Sequence, residues 1–190
     1  MQIFQLHAEL RGYKPKMWRR FQVAPGTTLE HLGCILMALF HMDGSHPFDF
    51  SIPGTRESYV PQSLKDWEGK DASKVKLESL LDAGSKIVFT YDFGDSWEVI
   101  IKVEKIIDDP DLGPKALPKV LDGKGYGIID DCGGVEALMA IAKALKDKDS
   151  PVDEELEEWV EEMEDMDMDA FDLKEMNAQA RRAPKLFSPF

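Results

Sequence analysis

The chain has 190 residues, 43% apolar and 31% charged, enough for one domain, or a domain with an appendage, to bury a real core. No apolar run reaches the roughly 18–20 residues of a membrane span, and the start alternates apolar and polar rather than reading as a leader, so a cytoplasmic protein is expected. The net charge of −13 sits in residues 149–172, which hold 13 acidic side chains and no basic one. Clustered Lys and Arg are therefore lacking and nucleic acid is disfavoured as a partner.

In chain order, "IFQLHAEL" (3–10) alternates as a strand, with Ile3 or Phe4 setting the buried phase. Gly12 and Pro15 break it, and "MWRRFQV" (17–23) returns as the second arm of a hairpin. Thr27 and Glu30 have capping-box spacing, and Leu29, Leu32, Leu36 and Leu39 then follow on one helical face, with His31, Cys34 and His41 away from it. "HPFDFSI" (46–52) reads as a third strand, residues 53–76 as an irregular connection, and "LESLLDAG" (77–84) as a short helix ended by Gly84. "KIVFTYDFGDSWEVIIKVEKII" carries the strongest strand signal. Pro110, Gly113, Pro114 and Pro118 mark a loop, and a helix begins near Val135. An acidic helix with Leu156, Trp159, Val160 and Met163 on one face follows, then a last short helix opened by Asp172 and Glu175. The order implies an α+β fold, a mostly antiparallel sheet covered by helices. Residues 1–148 are expected to form the core domain, with 149–190 an acidic helical extension packed on it in a single compact unit.

The stretch "YDFGDSWEVI" (91–100) poses a register problem. A three-residue loop, Gly94-Asp95-Ser96, sets Phe93 opposite Trp97, Tyr91 opposite Val99 and Phe89 opposite Ile101, collecting the large apolar residues on one face. The same register sets Asp92 against Glu98, a like-charge pair that needs relief. Arg19 and Arg20 are the expected partners. A divalent cation held by Asp92, Asp95 and Glu98 is the alternative, because hard cations favour clustered carboxylates.

Other candidates carry less. His41, Asp43, His46 and Asp49 fall within nine positions but match no metal spacing, and polar loop residues are the expected reading. The two glycines after Cys132 leave N–H groups that can lower a thiol pKa, yet no histidine is nearby in sequence, so a tight loop with a buried thiol is expected. Two cysteines, Cys34 and Cys132, do not make a disulfide scaffold.

"KPKMWRRFQVAPGTTLEHL", "SHPFDF", "YDFGDSWEVII", "DCGG" and "FDLKEMN" occur in an order that resembles the Ri-plasmid open-reading-frame-three-like family, over nearly the whole chain. The resemblance implies an α+β domain and carries over no catalytic residue; some members bear insertion-element passenger or resolvase-like labels. Relatives have a second histidine where Phe48 stands, and prolines where "YGIIDD" stands, so neither a His–His metal pair nor a Cys–Cys pairing is implied.

The expected function is a non-enzymatic protein- or peptide-binding module without a cofactor. Its surface is formed by Trp18, Arg19, Arg20, Asp92, Asp95, Trp97 and Glu98. The alternative is a metal-dependent hydrolase or nuclease of mobile DNA, using Asp92, Asp95 and Glu98.

Overall fold

Alternation decides the first two strands of the computed structural model, which describes residues 1–64 and 66–187. In β1 (Gln2–Leu10), Phe4, Leu6, Ala8 and Leu10 enter the main core, so Phe4 sets the phase. In β2 (Trp18–Val23) the buried side carries Arg19, Phe21 and Val23, while Trp18, Arg20 and Gln22 lie on the half-exposed face. Helix α1 (Leu29–Leu39) follows. Its N-cap is Thr28, whose hydroxyl accepts from the His31 N–H at 3.2 Å. The expected box from Thr27 does not form, because the helix is capped one residue later and Glu30 falls at its second position, where it accepts the Gln62 N–H at 3.0 Å. The helix is buried on nearly all sides, including at Cys34.

Next come β3 (Phe48–Ser51), β4 (Ser58–Val60), β5 (Lys70–Asp71), α2 (Leu77–Leu80), β6 (Lys86–Tyr91), β7 (Trp97–Asp108) and β8 (Lys119–Lys124). Strands β4, β5 and β8 were not expected. The first two are very short, and β8 is masked by the Pro- and Gly-rich sequence around it. The eight strands form one sheet in the order β5-β4-β3-β6-β7-β1-β2-β8, antiparallel throughout except between β4 and β5. This is the α+β architecture.

Three longer helices close the chain: α3 (Gly134–Lys146), acidic α4 (Glu154–Glu162) and α5 (Leu173–Leu186). Asp172 caps α5 by accepting the N–H groups of Lys174 and Glu175. Leu138 and Ile141 of α3, and Met176, Ala180 and Ala183 of α5, share one core cluster with the inward side of the sheet. Leu156, Trp159, Val160 and Met163, in and just after α4, pack against that cluster half-buried. Helix α5 also meets the sheet edge: Asn177 accepts the Val120 N–H and donates to the Val120 carbonyl, both at 3.0 Å.

The β1–β7 register slips after Gln5, leaving Glu104 as the extra residue of a bulge. There Glu104 receives both arms of Arg20 at 2.8 Å and the Gln5 amide at 2.9 Å. The hydrogen bonds from Arg20 outweigh burial and hold the Glu104 carboxyl down at about 2. Because the folded value lies below the ordinary 4.5, the stabilisation is full above about pH 4.5 and is lost as pH falls through about 2. With the Arg20 side chain a third exposed, its size after screening is about 1–2 kcal/mol. Urea unfolding of Glu104→Gln should show that loss at neutral pH and a flatter acid limb below pH 4.5.

Candidate functional site

Three loops meet at one corner of the sheet. The first, after α1, carries Asp43 and His46; the second is the β6–β7 turn; the third runs from β8 to α3 and carries Asp130, Asp131 and Cys132. The β6–β7 turn has five residues, not three. Asp92 takes a left-handed backbone (φ 54°) and uses its own carboxylate to accept the Gly94 N–H at 2.9 Å, a side-chain turn that stops the strand at Tyr91. Tyr91 therefore faces Trp97 and Thr90 faces Glu98. The expected register is displaced by two residues. A shift of two preserves the faces, so Ile87, Phe89, Tyr91, Trp97, Val99 and Ile101 still point inward, but Phe93 leaves the strand and is exposed.

Asp92 and Glu98 are thus not opposite each other, and neither meets Arg19 or Arg20. Glu98 pairs with Arg11, and Asp92 lies 3.7 Å from His46 Nδ1. The residues expected to form one surface divide three ways. Arg19 and Trp97 are fully buried; Trp18, Arg20 and Glu98 share the outer face of the sheet; Asp92 and Asp95 sit at the hairpin tip. Trp18 packs between the rings and charges around it, 5.2 Å from His7 and from the Arg20 guanidinium. Asp95 accepts the Gly133 N–H at 3.1 Å and so ties the tip to the third loop.

His46, whose spacing predicts an ordinary polar loop residue, approaches two carboxylates. Its Nε2 lies 3.1 Å from Asp131 Oδ1. Beside it, Asp43 accepts from the Ser45 N–H and hydroxyl (2.7 and 2.6 Å) and from the buried Tyr91 hydroxyl (2.9 Å). Burial opposes the Asp43 charge, but these hydrogen bonds outweigh it and lower its pKa. Asp130 goes the other way, raised by burial and then by the Asp43 charge. Cys132 is no activated thiol: burial, followed by the Asp95 charge, pushes it up to about 12. Cys34, raised to about 11 chiefly by burial, donates to the Phe187 carbonyl at 3.3 Å.

His46 also stands on the rim of a cleft of about 380 Å³. Cys34, Met37, Phe48, Leu64, Trp67 and Phe187 give it apolar walls. Trp67 is 49% exposed and its ring lies 5.3 Å from that of Phe93, so the cleft and the hairpin tip form one continuous surface.

An open, mostly antiparallel sheet backed by helices, with its polar loops gathered beside an apolar cleft, defines an α+β protein. The chain belongs to the plasmid pRiA4b ORF-3-like protein family, whose model matches residues 2–175. It is 30% identical over 161 residues to the uncharacterized protein y4hQ of Sinorhizobium fredii (strain NBRC 101917 / NGR234), covering 83% of this chain and 80% of the relative. The crystal structure of a protein of unknown function from Methanosarcina mazei Go1, MM3350, matches with a TM-score of 0.78 at 26% identity, over 92% of this chain and 96% of that one. Three fragments of the sequence resemblance, "SHPFDF", "YDFGDSWE" and "DCGG", supply His46, Asp92 and Asp131 to the same corner. Among the described residues, no helix is long and apolar enough to cross a membrane.

Proposed function

We propose that this protein is a non-enzymatic binding module that takes an apolar side chain of a peptide partner into the cleft under Trp67, with basic residues flanking that anchor. The cleft carries the reading: a concave apolar surface with an exposed tryptophan at its lip is how binding hot spots are built. Charge supports the choice of partner. Glu30 lies in the cleft wall, and Asp43, Asp92 and Asp131 stand on the loops around His46. A Lys- or Arg-flanked segment meets complementary potential there, while an acidic segment is repelled. The binding surface is thereby moved from the strand face of Trp18 and Arg20 to the loop corner.

Fluorescence anisotropy tests this with labelled nine-residue peptides, each with a central Leu or Phe, flanked by Lys and Arg in one set and by Asp and Glu in the other. The basic set should bind and the acidic set should not. Trp67→Ala, at an exposed position, should weaken binding about tenfold or more without changing the melting temperature. Equal affinity for the two sets, or no loss in Trp67→Ala, would remove the proposal.

A further inference from the structure

We propose that the same corner holds a divalent transition-metal ion, ligated by one nitrogen of His46 and one carboxylate oxygen each from Asp92 and Asp131. One candidate donor atom from each residue lies within 4.8 Å of the other two. Donors bound at about 2.0–2.2 Å sit about 3–3.5 Å apart, so closure needs about 1 Å of movement at the widest separation. Asp131 can supply it, since its side chain is 66% exposed. Asp92 is already fixed, buried and held by the Gly94 N–H.

Two further observations point to a cation. The first is an unmet polar atom. His46 Nε2 is shielded from solvent and makes no hydrogen bond, although Asp131 Oδ1 is only 3.1 Å away. The close approach has ligand-like distance without hydrogen-bond alignment. The second is uncompensated charge. Asp43, Asp92, Asp95, Asp130 and Asp131 converge from three loops, and among the described residues none forms an ion pair with a Lys or Arg. Asp130 Oδ1, next to Asp131 in the chain, is likewise shielded and unpartnered. A positive ion answers both.

The donor set selects among cations. Two carboxylates alone would suit Mg²⁺, Ca²⁺ or Mn²⁺; the imidazole nitrogen shifts preference toward Zn²⁺, with Mn²⁺ the carboxylate-binding ion that best accepts a mixed set. Three protein donors leave at least one position of even a four-coordinate ion open. The site differs from the carboxylate set anticipated in the sequence: Asp92 is shared, whereas Glu98 is engaged by Arg11 and Asp95 by the third loop.

The test is calorimetric titration of the metal-stripped full chain with Zn²⁺, Mn²⁺, Mg²⁺ and Ca²⁺, with thermal shift in parallel. The result expected is one Zn²⁺ or Mn²⁺ per molecule and a raised melting temperature. His46→Ala and Asp131→Asn should each weaken binding at least tenfold, while Asp95→Asn and Glu98→Gln bind as the parent does. Circular dichroism establishes that each variant is folded. Absence of binding, or equal binding by the parent, His46→Ala and Asp131→Asn, overturns the proposal; the latter is ion condensation on the acidic C-terminal segment. Peptide affinity plays no part in the readout, so this inference and the cleft reading fail separately.

Discussion

Arg19→Met is expected to lower the unfolding free energy by about 3–5 kcal/mol, read from urea denaturation at neutral pH. The guanidinium is fully buried and has no carboxylate partner among the described residues. Its donors go instead to main-chain carbonyls: Leu39 at 2.8 Å, Trp18 at 2.9 Å, Lys124 at 2.8 Å and Tyr126 at 2.5 Å. Leu39 ends α1, Lys124 ends β8, and Tyr126 lies in the third loop, so one side chain ties three elements together. The rings of Phe40 and Phe171 lie 5.0 and 5.2 Å from its charge. Burial draws its pKa down to about 10, which still leaves it protonated at pH 7. Methionine fills part of the volume but strands the carbonyls in a place water does not reach. Arg19→Lys should recover only part of the loss, because a compact ammonium has three donors and no planar fork. A Met variant within 1 kcal/mol of the parent would show that those carbonyls find other donors.

Trp97→Ala should cost about 3–5 kcal/mol by the same measurement. The side chain is fully buried, faces Tyr91 across the β6–β7 ladder and heads the inward row of Val99, Ile101 and Val103. Its indole N–H is shielded and has no hydrogen-bond partner among the described residues. Trp97→Phe therefore removes volume without breaking a hydrogen bond, and should cost clearly less than Trp97→Ala. A phenylalanine variant as unstable as the alanine one would mean that the N–H is satisfied in solution. Both Arg19 and Trp97 were expected on a binding surface; these substitutions should act on folding and leave peptide affinity per folded molecule unchanged.

The faces of the strands were legible because period-2 alternation is a local property. Phase even marks Arg19 as inward, in step with Phe21 and Val23, but a charge read in isolation suggests solvent, and only the surrounding carbonyls make burial tolerable. The register of the β6–β7 hairpin was legible to within its faces and no further. Whether the strand ends at Phe93 or Tyr91 depends on the Asp92 carboxylate turning back onto Gly94, a choice that hydrophobic pattern does not record. The His46–Asp92–Asp131 cluster was hidden for another reason. Its members come from three separate loops, and no spacing rule reaches across a β-sheet whose strand order is not the chain order. Cys132 is buried, as the tight glycine loop predicts.

The two hydrogen bonds between Asn177 and Val120 bear on how this molecule can meet another chain. A bare margin strand offers its backbone to any extended visitor, the route to strand exchange and self-association. Here one amide occupies donor and acceptor of Val120 together, much as an arriving backbone would, and Phe171 lies over Gly123 further along. The opposite margin, β5, is two residues long. Among the described residues both margins of the sheet are thus short or partly covered, which supports the proposed reading of recognition by side chains at the loop corner rather than by sheet extension.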